Sequence, residues 1–118
     1  DLTLRDLQAN LKKLGHPWEI AKAFDGSCPI TPFEPINGNI DLQNLEFYLD
    51  INNTRRQNGN TKDMITPIVK LISFISNHFT LLPGDIVLTG TPAGVDALNP
   101  TDTINIGFNH KNYTSCVI

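Results

Sequence analysis

The chain has 118 residues, 40% of them hydrophobic and 18% charged, which suits one globular domain with a core and excludes a disordered tail. Its formal net charge is −3, and Lys and Arg cluster only at Lys12-Lys13 and Arg55-Arg56, so no nucleic-acid partner is expected. No apolar run approaches the roughly 20 residues of a membrane span, so no membrane is expected either; the longest candidate, Ile65 to Phe79, is broken by Pro67, Lys70 and Asn77.

Thr3 to Leu14 reads as a helix. Leu4, Leu7, Leu11 and Leu14 recur at spacings of three and four and share one face. Thr3 is its expected N-cap, Asp6 suits the first turn, and Gly15 and Pro17 end it. In Ile20-Ala21-Lys22-Ala23-Phe24 a strand would turn Lys22 to the same side as Ile20 and Phe24. Gly26 to Gly38 is rich in Pro and Gly and reads as an ordered loop. Leu45 to Ile51 alternates as a half-buried strand, Asn52-Asn53 turns the chain, and Thr54 to Gln57 returns. Thr66-Pro67 opens a second helix, with Thr as cap and Pro first, whose buried stripe is Ile68, Leu71, Ile72 and Ile75. Leu82 to Asp85 is a turn, Ile86 to Leu88 a short strand, and Thr103 to Phe108 with Tyr113 to Ile118 a final hairpin around Asn109 to Asn112. Cys28 and Cys116 form no metal-binding or redox motif and read as two reduced, packed thiols in a cytoplasmic protein.

The usual catalytic signatures are missing: no GxxxxGK[ST], GxGxxG, GxSxG or HExxH occurs, and His16, His78 and His110 are scattered. Three other features remain. Arg5, Gln8 and Lys12 form a polar arc on the first helix, with Asp1 just ahead of it. Such an arc is ordinarily a solvated face, but Arg and Gln are fork-shaped groups that suit planar carboxylates and amides. Lys22, among apolar neighbours, either snorkels to solvent or is partly buried against an anion. LTGTPAGV, Leu88 to Val95, follows a strand; it reads as a rigid turn, and its glycines would also let backbone approach a ligand beside the Thr91 hydroxyl.

The stretches DLTLRDLQ, GHPWEIAKAFDGSCPITPF, RRQNGNTKDMI and FTLLPGDIVLTGTPAGV, in this order and covering nearly the whole chain, resemble the fumarylacetoacetate hydrolase family. The likeness is to its small acylpyruvate hydrolase and oxaloacetate decarboxylase or tautomerase branch. It implies a mainly β, mixed-sheet roll with a few helices (α+β), of the family's C-terminal domain type. It also implies that this chain is about the C-terminal half of a single catalytic domain. The metal would be Mg²⁺ or Mn²⁺ on three carboxylates. Asp1, which opens the D-x-T-x-R-D motif, would be one, and a Glu-x-Glu motif of the family's N-terminal half would supply the others. A catalytic His–Glu pair belongs to that same half. Arg5, Gln8, Lys22 and Thr91 match positions that bind substrate, with Lys22 also catalytic. Two departures fall at turns: Asp96 stands where the family often has Gly, and Thr101-Asp102 where it often has Gly-Asp.

On this resemblance the complete protein is expected to be a metal-dependent hydrolase. It would cleave a C–C bond of acylpyruvate-type 2,4-dioxo acids through an enolate. Decarboxylation of oxaloacetate or keto–enol tautomerisation could use the same site, because both pass through the same enolate. The substrate would be a small 2-oxo acid, the complete protein a homodimer, and the 118 residues alone inactive. A non-catalytic module is the reading from another class.

Overall fold

A computed structural model describes all 118 residues, Asp1–Ile118. The elements in chain order are α1 (Arg5–Leu14), α2 (Glu19–Lys22), β1 (Glu46–Ile51), β2 (Thr54–Asn60), a 3₁₀ turn (Thr61–Asp63), α3 (Ile68–Ser76), β3 (Thr103–Phe108) and β4 (Lys111–Cys116). They divide into two compact units, Asp1–Glu34 and Pro35–Ile118. No helix is long and apolar enough to cross a membrane.

In the first unit, α1 begins two residues later than its apolar spacing suggests. Leu4 occupies the N-cap position, and no side chain caps it. Thr3 is not the cap, because its hydroxyl accepts a hydrogen bond from Lys22 instead. The C-terminus ends as expected: Gly15 turns left-handed at φ 66°, its N–H bonds the Lys12 carbonyl, and the His16 N–H bonds the Leu11 carbonyl at 2.9 Å. The leucine stripe is only partly covered, with Leu11 buried and Leu4 and Leu14 exposed. Residues 20–22 do not form the expected strand. They lie in the single-turn helix α2, with Ala21 fully buried and Ile20 exposed. Small Ala alternating with larger residues satisfies a strand and a helical turn equally, and the Ala21 N–H bond to the Trp18 carbonyl selects the helix.

The second unit is built on an antiparallel sheet of order β2-β1-β3-β4. It contains no parallel pair, so the mixed sheet implied by the resemblance is not formed by these residues. Along the whole chain, four antiparallel strands and three α-helices make an α+β fragment, as the resemblance implies. Two hairpins have two-residue turns that need left-handed backbone, Asn52-Asn53 (φ 50° and 62°) and Asn109-His110 (φ 45° and 66°). The second turn is tighter than expected, so β4 starts at Lys111. β2 runs three residues past Gln57, because residues 58–60 pair with β1 through their backbone.

α3 starts one residue after Pro67, and Thr66 does not cap it. The Ile68 N–H is satisfied by the Gln43 side chain at 2.9 Å. In its stripe Ile68, Leu71 and Ile75 are half-buried, while Ile72 is exposed. The turn at Leu82 closes as expected, through the Asp85 N–H and carboxylate. Residues 86–88 form no strand: they have no partner to pair with, and Ile86 and Leu88 are exposed. Both thiols, expected to be packed, are exposed and unpaired.

Candidate active site

The first four residues run extended beside residues 21–27. The Leu2 N–H donates to the Ser27 carbonyl (2.7 Å) and the Leu4 N–H to the Ala21 carbonyl (3.0 Å). Side chains alternate along an extended segment, so residues 1 and 3 share a side. Both reach Lys22, whose Nζ donates to Asp1 Oδ1 and to Thr3 Oγ1, each at 2.8 Å. An ammonium has three N–H donors, and two are used here. The third is free, on a side chain 37% exposed. Lys22 is therefore partly buried against an anion, the second of the two readings its apolar neighbours left open. It is a half-exposed cation fixed by a carboxylate and a hydroxyl, beside a shallow concavity of about 410 Å³ lined by Pro17, Trp18, Glu19 and Lys22.

Arg5 opens α1 and Gln8 lies one turn further on, Arg5 exposed and Gln8 half-buried. Neither the guanidinium nor the amide is engaged by another side chain, so both remain available to a planar anion. Lys12, further along the same arc, stands 5.1 Å over the Trp18 ring. In this unit the fold therefore joins Asp1 directly to Lys22 and leaves Arg5 and Gln8 unengaged on the helix that follows.

Thr91 belongs to the second unit. Its hydroxyl oxygen accepts from Gln57 Nε2 at 2.8 Å, and the same nitrogen lies 3.1 Å from the Pro92 carbonyl and 3.4 Å from that of Ala93. Gly90 and Gly94 bracket the loop at φ 99° and 97°. A Cβ on Gly94 would lie 1.9 Å from the Arg56 carbonyl oxygen, so only glycine fits there. Sequence reading missed two members of these groups, Thr3 and Gln57. Thr3 carried a signal, the T of D-x-T-x-R-D, but was assigned to capping. Gln57, in a polar strand, carried none.

A Mg²⁺ or Mn²⁺ site needs several oxygen donors gathered in one place. No three His, Cys, Asp or Glu side chains come together anywhere in the chain. Fewer than three such side chains gather around Asp1, against the roughly six oxygens a Mg²⁺ site takes. The residues of this chain do not by themselves make such a site.

A family model described as "Fumarylacetoacetate (FAA) hydrolase C-terminal" matches residues 1–115. The chain belongs to the fumarylacetoacetate hydrolase family. It is 49% identical to oxaloacetate tautomerase YcgM of Escherichia coli, a match covering 100% of this chain and 54% of that protein. It is 45% identical to the mitochondrial oxaloacetate tautomerase FAHD1 of Bos taurus, over 91% of this chain and 48% of the relative. Among solved structures it resembles fumarylpyruvate hydrolase from Pseudomonas aeruginosa in complex with Mn²⁺ and pyruvate, with a TM-score of 0.90 and 33% identity over 98% of this chain and 50% of that one. The C-terminal fold of the family is thus shared. The chain spans about half the length of the curated relatives it matches.

Proposed function

We propose that the complete protein catalyses keto–enol tautomerisation of oxaloacetate or a close 2-oxo acid. The Lys22 ammonium carries this reading: two of its protons are held by Asp1 and Thr3, and one is left to meet a substrate oxygen. The substrate class is supported by the two tautomerase relatives, which shift the weight from the C–C hydrolysis expected first.

In tautomerisation a base removes a proton from C3, electrons move into a C2–C3 double bond, and O2 becomes anionic before it is protonated. Lys22 supplies a fixed positive charge at O2, where that negative charge develops. Arg5 and Gln8 hold a carboxylate through parallel N–H donors, which orients C3. Thr91 donates its hydroxyl proton to a substrate oxygen. None of these residues is assigned as the base. Asp1 would contribute one ligand to Mg²⁺ or Mn²⁺, with the others outside these 118 residues; the Mn²⁺ and pyruvate of the P. aeruginosa enzyme support this assignment.

The test is to follow enol absorbance of oxaloacetate with the full-length protein and Mg²⁺, alongside pyruvate release from oxaloacetate and hydrolysis of acetylpyruvate. Faster tautomerisation than either bond cleavage is expected. No acceleration of tautomerisation with Mg²⁺ or Mn²⁺ overturns the reading. Dominant acetylpyruvate cleavage would select the hydrolase, the second reading, which the fumarylpyruvate hydrolase favours. The 118 residues alone are expected to show no turnover. A homodimer is proposed for the complete protein, to be checked by sedimentation. Two unpaired thiols support a reducing compartment such as the cytoplasm, and the mitochondrial relative makes the mitochondrion its competitor.

A further inference from the structure

β2 is the edge strand of the sheet, and its pairing with β1 slips by one residue in the middle. Leu49 faces Gln57 and Asp50 faces Arg55, so Arg56 is the extra, unpaired residue of a bulge. A bulge kinks a strand and re-aims its side chains, and it commonly lies beside a functional site. The loop carrying Thr91 docks at this bulge in three ways. Gly94 packs onto the Arg56 carbonyl, the Arg56 guanidinium pairs with the Asp96 carboxylate at 3.3 Å, and the half-buried Gln57 amide reaches three consecutive residues of the loop.

The orientation of that amide is determined by its neighbours. The Pro92 and Ala93 carbonyls can only accept, so the atom facing them is the nitrogen. Gln57 therefore donates to Thr91 Oγ1, and the Thr91 hydroxyl must point its own proton elsewhere. Thr91 is exposed, so that proton faces solvent or a ligand.

We propose that Gln57 is a positioning residue for substrate binding: it fixes the Thr91 hydroxyl as a donor aimed away from the sheet, and the Arg56 bulge sets the distance at which it does so. This rests on the reading above in which Thr91 touches substrate. Gln57 itself touches none. It acts by removing the rotamer freedom and the alternative hydrogen-bond direction that Thr91 would otherwise have.

A double-mutant cycle in the full-length protein, with oxaloacetate as substrate and Mg²⁺ present, tests this. Gln57→Met keeps the length and removes the donors, and Gln57→Glu presents only acceptors. Each is expected to lower kcat/KM at least tenfold, mainly through KM, and Thr91→Val is expected to do the same. The double variant Gln57→Met/Thr91→Val should stay within threefold of Thr91→Val alone, because no hydroxyl is left to aim. Additive losses would show that Gln57 acts elsewhere and would overturn the proposal, as would Gln57 variants within threefold of wild type. If neither Gln57 variant folds, Gln57 is a determinant of the fold and the proposal also falls. A Thr91→Val variant with wild-type kcat/KM would remove the substrate contact of Thr91 and this proposal with it, leaving the Lys22 assignment standing. A wild-type protein without tautomerase activity would instead defeat the functional reading as a whole.

Discussion

Replacing Lys22 by Met separates the proposed chemistry from the fold. The side chain stays unbranched, one atom shorter, and loses its charge. At 2.8 Å the Lys22–Asp1 attraction is about 1.5 kcal/mol in the dielectric of water. Ordering two side chains that are 37% and 39% exposed cancels most of it, so the net contribution to stability is about 0–1 kcal/mol. The effect on the reaction should be larger. A fixed donor facing a developing oxyanion typically contributes about 10²–10³ in rate, or roughly 2.7–4 kcal/mol. Lys22→Met is therefore expected to lower kcat/KM on oxaloacetate about 10²–10³-fold while urea unfolding of the full-length protein shifts by less than about 1 kcal/mol. Lys22→Arg should not restore the rate, because a planar guanidinium cannot place three tetrahedral protons on Asp1, Thr3 and substrate together. The assay is enol absorbance against substrate concentration, with a denaturation curve on the same preparations. A kcat/KM within threefold of wild type refutes the assigned role. So does a stability loss large enough to account for the lost activity.

Thr101 holds a β-branched side chain at φ 74°, with its N–H bonded to the Val117 carbonyl. Thr101→Gly should relieve about 1–2 kcal/mol of left-handed strain, less the flexibility glycine adds to the unfolded chain, and so raise stability by roughly 0.5–1 kcal/mol in urea denaturation; a lower midpoint would contradict this. Gly107 faces Tyr48 across the sheet, and a Cβ there would lie 2.0 Å from the ring. Gly107→Ala should displace the ring, break the Tyr48 hydroxyl bond to Asn112 and cost about 1–3 kcal/mol, and an unchanged midpoint would sink the argument. The Asp102 carboxyl is held below the usual carboxylate range, first by the Asn99 backbone N–H and then by the Asn52 amide. A lowered folded-state value means that the stabilisation is present above the unfolded-state value, near 4, and is lost as pH falls through the folded-state one. The stability gap between wild type and Asp102→Ala should accordingly shrink on acidification below about pH 4, and a gap that widens there would reverse the sign.

What could be read from the sequence was what short-range chemistry determines. Asn52-Asn53 announced its hairpin because few residues other than glycine accept two consecutive left-handed positions, and the alternation of Phe47, Leu49 and Ile51 placed β1 beside it. Gly15 ended α1 for the same kind of reason. What depended on a distant partner was not legible. Residues 86–88 have strand composition but nothing to pair with. Residues 58–60 have loop composition yet pair with β1. In the site, Lys22 stood out because a cation among apolar residues requires an explanation, and its partner proved to be Asp1, 21 residues away. Thr3 was hidden because a Thr ahead of a helix ordinarily caps it. Gln57 was hidden because its meaning depends on a loop 34 residues downstream.

The apolar surface and the polar clusters answer to different physics. Leu11 and Ala21 in the first unit and Ile51 in the second are the only buried apolar residues, and no large side chain is fully buried. At about 1.5–3 kcal/mol for each large side chain removed from water, Leu11 and Ile51 with the smaller Ala21 do not offset the ordering of a whole backbone at about 1–2 kcal/mol per residue. Phe33, Ile65, Val69, Phe74 and Phe79 remain exposed, and a surface of that kind calls for cover. The clusters need no such cover. Asp1 and Thr3 meet Lys22 because an extended segment alternates its side chains, and Thr91 meets Gln57 because a bulge brings a glycine turn against β2. Substitutions on the apolar surface should therefore change how much protein is folded. Substitutions in the clusters should change what each folded molecule can do, which is why activity and unfolding have to be measured on the same variants.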